Sequence, residues 1–291
     1  MIRETVVRVV KPRLPVGLWE RVRRLDPTAA RRDAERDARA EALRTRAADL
    51  SLRSLTELAE HFQTDKWGKH QFTPHYEEHL RPLKRSAFTL LEIGVGGYDR
   101  EREGGASLRM WKAFFPRAQV VGLDLEDKSF VDEDRIVTYQ GSQDDPAVLD
   151  RILDEHRVRV VVDDGSHVSE HVLATFAHVF PRLPRGAVYA IEDTETSYWD
   201  EYGGSTDPAA PTTMNMVKDL LDALHHEEFT ARGYRPDAVE LGVVAVHAYH
   251  NLVIIEKGRN DERGGERHPA AVRAGQEKAA RAASRLDPGN G

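Results

Sequence analysis

The residues most able to do chemistry sit in two short runs, Asp163-Asp-Gly-Ser-His167 and Glu192-Asp193. Together they offer four carboxylates and one imidazole. Clustered carboxylates repel and raise one another's pKa values unless a cation compensates. Oxygen donors without sulfur favour a hard cation such as Mg²⁺. Capping of a following helix would account for Asp164 or Ser166 alone, but not for the pair at 192–193. A second pattern overlaps the first run: His167-Val-Ser-Glu-His171 matches H-x-x-E-H, a zinc-metalloprotease signature. That chemistry needs both histidines on one helical face, whereas His167 directly follows a strand and turn. Upstream, Glu92-Ile-Gly-Val-Gly-Gly97 places glycines where backbone N–H groups can approach a ligand, although it is not G-x-G-x-x-G. Asp124 closes Val120-Val-Gly-Leu-Asp124, a position suited to a ribose diol, and Gln140-Gly-Ser-Gln-Asp-Asp145 offers polar groups to an adenine edge. In order, these three segments suggest an adenosine-containing ligand. No G-x-x-x-x-G-K-[ST] is present, which excludes a P-loop nucleotidase.

These residues fall at the ends of strand-like segments. Strands are expected at Phe88–Ile93, Gln119–Asp124, Ile136–Gln140, Val158–Asp163 and Ala187–Glu192. Helices are expected at Ser107–Phe115, Pro146–Glu155, Val168–Phe180 and Thr213–Phe229. Runs such as Val158-Arg-Val-Val-Val162 suit a parallel sheet covered on both faces. The alternation predicts a doubly wound α/β sheet binding ligands at its carboxyl edge. Leu241–Ala248 and Leu252–Lys257 are linked by only Tyr249-His-Asn251, too short for a crossover, so they should pair antiparallel.

Composition narrows the function. With 42 Lys+Arg against 49 Asp+Glu, the net charge of −7 argues against a nucleic-acid binder. Residues 1–50 carry 13 basic and 8 acidic side chains (13 − 8 = +5), leaving 29 − 41 = −12 on the remainder. The absence of cysteine removes disulfides, Cys–zinc sites, iron–sulfur clusters and thiol nucleophiles. No apolar run reaches the ~20 residues of a membrane span, and no signal-peptide core opens the chain. A cytoplasmic protein is expected. Residues 1–52 read as a polar, basic helical arm, 53–257 as the functional domain, and 258–291 as a disordered or frayed polar tail. An apolar patch over Leu14–Leu25 suggests self-association.

The stretch 53–257 resembles class I S-adenosylmethionine-dependent methyltransferases, and within them the metal-dependent sugar O-methyltransferases of macrolide biosynthesis. The general class is marked by Glu92–Gly97, Asp124 and the final antiparallel strand. More specific are Thr64-Asp-Lys-Trp-Gly-Lys-His70 with Tyr76-Glu77, Asp163–His167, Glu192-Asp193, Ser197-Tyr-Trp199 and Tyr249–Lys257. The chain departs from the pattern at Tyr98, where a third glycine is usual, and about fifty polar residues precede the match where longer relatives carry an N-terminal domain. The resemblance implies a Rossmann-like methyltransferase fold, with a seven-stranded, mostly parallel sheet ending in an antiparallel pair. It implies S-adenosylmethionine bound by Leu91, Glu92, Ile93, Gly94, Val95, Gly96, Gly97, Ser107, Asp124, Ser142, Gln143 and Asp164. It further implies Mg²⁺ or another hard divalent cation on Asp164, Glu192 and Asp193, and His167 as general base. The acceptor would be a sugar hydroxyl of a small-molecule glycoside or a saccharide, with no nucleic acid and no membrane involved. Alternatives are a phenol or catechol O-methyltransferase, a cephalosporin-hydroxylase-like relative, and the zinc protease of the H-x-x-E-H match.

Overall fold

The computed structural model describes residues 27–97, 103–229 and 233–261. The Leu14–Leu25 patch, Tyr98 and residues 262–291 lie outside them. The described chain forms two compact units, residues 27–86 with 109–117, and residues 87–108 with 118–261.

In the first unit, α1 (Pro27–Leu52) lies within the stretch read as a polar, basic helical arm, and most of its side chains from residue 31 onward are exposed. Then follow α2 (Leu55–Phe62) and α3 (Thr73–Leu80). Ser54 opens α2 with a capping box: its side chain accepts from Glu57 N while Glu57 accepts from Ser54 N. Glu77 of α3 accepts from Leu55 N at 2.8 Å, locking the two helices at their ends. Tyr76 packs edge-on against Trp111 at 5.2 Å, and both rings are fully buried.

The second unit is built on seven strands: β1 (Thr89–Ile93), β2 (Gln119–Asp124), β3 (Ile136–Gln140), β4 (Val158–Asp163), β5 (Val188–Glu192), β6 (Val243–Tyr249) and β7 (Leu252–Lys257). Their order is β3-β2-β1-β4-β5-β7-β6. Pairings from β3 through β5 are parallel, and β7 runs antiparallel to both β5 and β6. This is the Rossmann-like arrangement expected of a methyltransferase. β1, β2, β4 and β5 are buried almost end to end, which their continuous apolar runs require. One face packs Leu149 and Ile152 of α5 (Pro146–Glu155), Val172 and Phe176 of α6 (Ser169–Val179), and Val217 and Leu220 of α7 (Thr213–Ala223) in one cluster with Leu91, Val161 and Tyr189. The helix α4 (Ala106–Phe114) follows β1. Chain direction across the sheet reverses between β1 and β4, where a doubly wound sheet opens a crevice at its carboxyl edge.

One helix is shorter than its sequence suggests. α7 stops at Ala223 rather than continuing to Phe229, and His226–Glu228 form a separate turn. The Asn260 amide donates to the carbonyls of Ala223 (3.1 Å) and Leu224 (3.4 Å), and buried His226 meets the Asn260 carbonyl at 2.9 Å. A polar side chain from past the last strand therefore satisfies carbonyls that a longer helix would have used itself.

Candidate active site

A cleft of about 450 Å³ opens at the carboxyl ends of β1, β2, β3 and β4. Its floor is the first turn after β1. Gly94 has φ +87°, and a Cβ there would lie 2.0 Å from the carbonyl oxygen of Asp164. Glycine is needed because the β1 and β4 turns press together, joined by Asp164 N donating to the Ile93 carbonyl at 3.0 Å. Asp124 is buried, and its two carboxylate oxygens accept from Val95 N (2.8 Å) and Glu126 N (2.9 Å). It thereby ties the glycine turn to the end of β2.

Of the residues expected to hold a cofactor, Ile93, Gly94, Asp124, Ser142 and Gln143 line this cleft. Leu91 and Glu92 are buried inside β1, and Val95 is buried in the turn. Gly96, Gly97 and half-buried Ser107 are not among the lining residues, and Asp164 stands in the neighbouring carboxylate cluster. The lining also includes residues the sequence did not single out for this role: Leu123, Leu125, Gly141, Gly165, Ser166, His171 and Tyr202. Leu125 and Gly141 directly follow strands whose tips had been recognised, so their position was within reach of the same argument.

Gln143 has more to do than meet an adenine edge. Its Oε1 accepts from Ser166 N at 2.7 Å, and its Nε2 donates to Asp163 Oδ1 (3.1 Å) and Thr175 Oγ1 (3.2 Å). Asp163 also accepts from the Tyr189 hydroxyl at 3.1 Å. Burial pushes the Asp163 carboxyl up to about 7, against the opposing pull of these hydrogen bonds. The Tyr189 hydroxyl is raised well above its ordinary value, by burial and then by Asp163. A buried polar layer thus fixes the turn that carries Asp164 and His167.

The second feature is a convergence of charged side chains. Asp164, His167 and Asp193 each bring a possible ligand atom within 4.8 Å of the others. His167 Nε2 lies 3.9 Å from Asp164 Oδ1 and 3.7 Å from Asp193 Oδ2. His167 (φ 56°) and Asp193 (φ 50°) both occupy the left-handed region, a strain of about 1–2 kcal/mol for each. Residues other than glycine hold such angles where surrounding structure enforces them. Here Thr196 supplies the clamp: its hydroxyl faces the carbonyls of both His167 (3.1 Å) and Asp193 (2.9 Å). Glu192 ends β5 as a buried residue and is not part of the convergent group. The two carboxylates are oxygen donors of the kind a hard cation takes, and the imidazole stands beside them.

The H-x-x-E-H pattern does not form a zinc site. His167 precedes α6 in a left-handed turn, Glu170 is exposed, and His171 turns to Ser166 Oγ (2.9 Å) and Asp144 Oδ2 (3.8 Å). The two histidines share no helical face.

No protein-family model matches the chain. Among characterised proteins it is 47% identical over 215 residues to mycinamicin VI 2''-O-methyltransferase of Micromonospora griseorubida, covering 72% of this chain and 54% of that protein. It is 45% identical over 215 residues to demethylmacrocin O-methyltransferase of Streptomyces fradiae, with the same coverages. It is 43% identical over 229 residues to 8-demethyl-8-(2-methoxy-alpha-L-rhamnosyl)-tetracenomycin-C 3'-O-methyltransferase of Streptomyces olivaceus, covering 75% and 59%. A solved structure of the MycE methyltransferase of the mycinamycin pathway, in complex with Mg, SAH and mycinamycin VI, superposes with a TM-score of 0.71 at 44% identity. That match covers 77% of this chain and 59% of the other. The chain therefore spans little more than half the length of the relatives it matches.

Proposed function

Because the chain is a homologue of the O-methyltransferases that modify macrolide and tetracenomycin sugars, we propose that it transfers methyl groups to a sugar hydroxyl of a glycosylated natural product, in the cytoplasm. The cofactor is S-adenosylmethionine and the metal Mg²⁺, in keeping with the MycE complexes. The observation that carries the reading is the convergence of Asp164, His167 and Asp193 beside the cleft closed by Asp124.

The cofactor supplies an electrophilic methyl group when bound, and the metal lowers the pKa of a hydroxyl held beside it. Asp124, which lines the cleft at the end of β2, receives the ribose diol. Asp164 and Asp193 would hold the cation, with buried Glu192, one residue earlier on β5, as the third carboxylate assigned to it. His167 accepts the hydroxyl proton at Nε2, the nitrogen that faces both aspartates. The two carboxylates stabilise the imidazolium that results. Strained backbone at His167 and Asp193, clamped by Thr196, keeps base and ligands in register without substrate.

The test is methyl transfer from labelled S-adenosylmethionine to a panel of macrolide and polyketide glycosides, followed by mass spectrometry. EDTA should abolish transfer and Mg²⁺ should restore it. His167→Ala should lower kcat about 10²- to 10⁴-fold while leaving calorimetric binding of S-adenosylhomocysteine intact. Glu170→Gln should act like the unmodified chain. An active His167→Ala beside an inactive Glu170→Gln would overturn the assignment.

A further inference from the structure

Beyond β5 the chain builds a shelf that the reaction just described does not use. Two single-turn helices, Thr194–Tyr198 and Asp200–Tyr202, form it. They are held from beneath by buried polar residues. Thr196 grips the His167 carbonyl, Ser197 Oγ accepts from Met214 N at 3.2 Å, and the Ser197 carbonyl accepts from Ser205 N at 2.8 Å. Gly204 N closes the turn onto the Trp199 carbonyl at 2.9 Å, and a Cβ on Gly204 would lie 2.4 Å from Trp199 N. On this fixed base Tyr198 and Trp199 are 49% and 45% exposed.

The exposed rings share a recess of about 420 Å³ with the side chains of Asp200 and Glu201. Neither carboxylate has a hydrogen-bond or ion-pair partner among the described residues. The Trp199 ring lies 5.9 Å from that of Tyr202, and Tyr202 also lines the cofactor cleft beside His167. The shelf is thus continuous with the reaction cleft, and among the described residues no lysine or arginine lines either one.

Exposed ring faces beside unneutralised carboxylates are the chemistry that holds an organic cation. The ring quadrupole and the negative charges attract the same group, and the rings remove part of its water. A phosphate or carboxylate in the same place would meet only repulsion. We propose that this shelf is an acceptor subsite for a positively charged alkylamine, so that the glycoside carries its protonated amine there while its hydroxyl reaches His167. The proposal rests on the methyl-transfer reading above and adds the charge of the acceptor to it.

The test uses the full chain with Mg²⁺ and S-adenosylhomocysteine, titrated with choline and with its uncharged isostere 3,3-dimethylbutan-1-ol, reading tryptophan fluorescence. Choline should give a saturable change that disappears in Trp199→Phe, and the isostere should bind about fivefold or more weakly. The double variant Asp200→Asn, Glu201→Gln should weaken choline by a similar factor and leave the isostere unchanged. Equal binding of the two probes, or a double variant that holds choline as well as before, would overturn the subsite. Calorimetry of S-adenosylhomocysteine on the same samples separates the two readings. Tight cofactor binding without choline selectivity overturns the subsite alone, whereas no cofactor binding overturns the methyl-transfer reading beneath it.

Discussion

Replacing Gln143 with leucine separates the two roles that this residue can have. Leucine approximates its size and keeps none of its polar atoms. In the structure the amide makes three hydrogen bonds, to Ser166 N, Asp163 and Thr175. At about 1 kcal/mol for each neutral bond, and more for the one to a carboxyl that is partly ionised near pH 7, the loss comes to about 3–4 kcal/mol. Asp163 would also lose one of the two side-chain donors that oppose its burial, so its carboxyl would rise further above 7. The effect should appear without any ligand, as a drop of more than about 1 M in the urea midpoint. Mg²⁺ affinity should fall with it, because the same turn orients Asp164 and His167. A variant that unfolds at the same urea concentration but binds S-adenosylhomocysteine weakly would refute this reasoning and return the amide to the adenine.

Asp124→Ala should weaken S-adenosylhomocysteine by about 1.5–3 kcal/mol for each charge-assisted bond lost to the ribose, measured by calorimetry on protein shown to be folded. Asp163 gives a pH signature. Its folded pKa of about 7 lies above the unfolded value near 3.8, so its contribution to stability is fully present below pH 3.8 and is lost as pH rises through 7. In metal-free buffer, Asp163→Asn should therefore gain stability relative to the parent chain between pH 4 and pH 7.5, by up to about 4 kcal/mol, followed by chemical denaturation at each pH.

The sheet was legible because its physics is local and redundant. β2, β3, β4 and β7 begin and end at the residues expected of them, and for β2 and β4 the reason is that a strand covered on both faces is written as a nearly continuous apolar run. The link expected at Tyr249–Asn251, shortened to His250-Asn251 because Tyr249 pairs with Leu252, forced an antiparallel pair whatever its side chains did. α7 shows where locality fails. Nothing between Thr213 and Phe229 announces a stop at Ala223. The carbonyls there are satisfied by Asn260, 37 residues further on, so the end of the helix is decided by a contact between distant segments.

The same division runs through the site. Carboxylates at strand tips could be named because strand ends fix where side chains emerge: Asp124, Asp164 and Asp193 all fall at the carboxyl edge. Backbone angle could not be named. H-x-x-E-H looks like one helical face only if its first histidine is helical, and His167 sits at φ 56° instead. That torsion goes with a His167 ring that faces Asp164 and Asp193, so an imidazole stands beside two carboxylates where the pattern suggested a zinc geometry. What enforces it is equally invisible to spacing. Thr196 spans the two strained turns from 29 residues away, and Gln143 braces one of them from 23. Neither has a residue type that advertises catalysis. The converging side chains were therefore nameable by type and position, while the backbone that brings them together is held by a threonine and a glutamine that resemble ordinary loop residues.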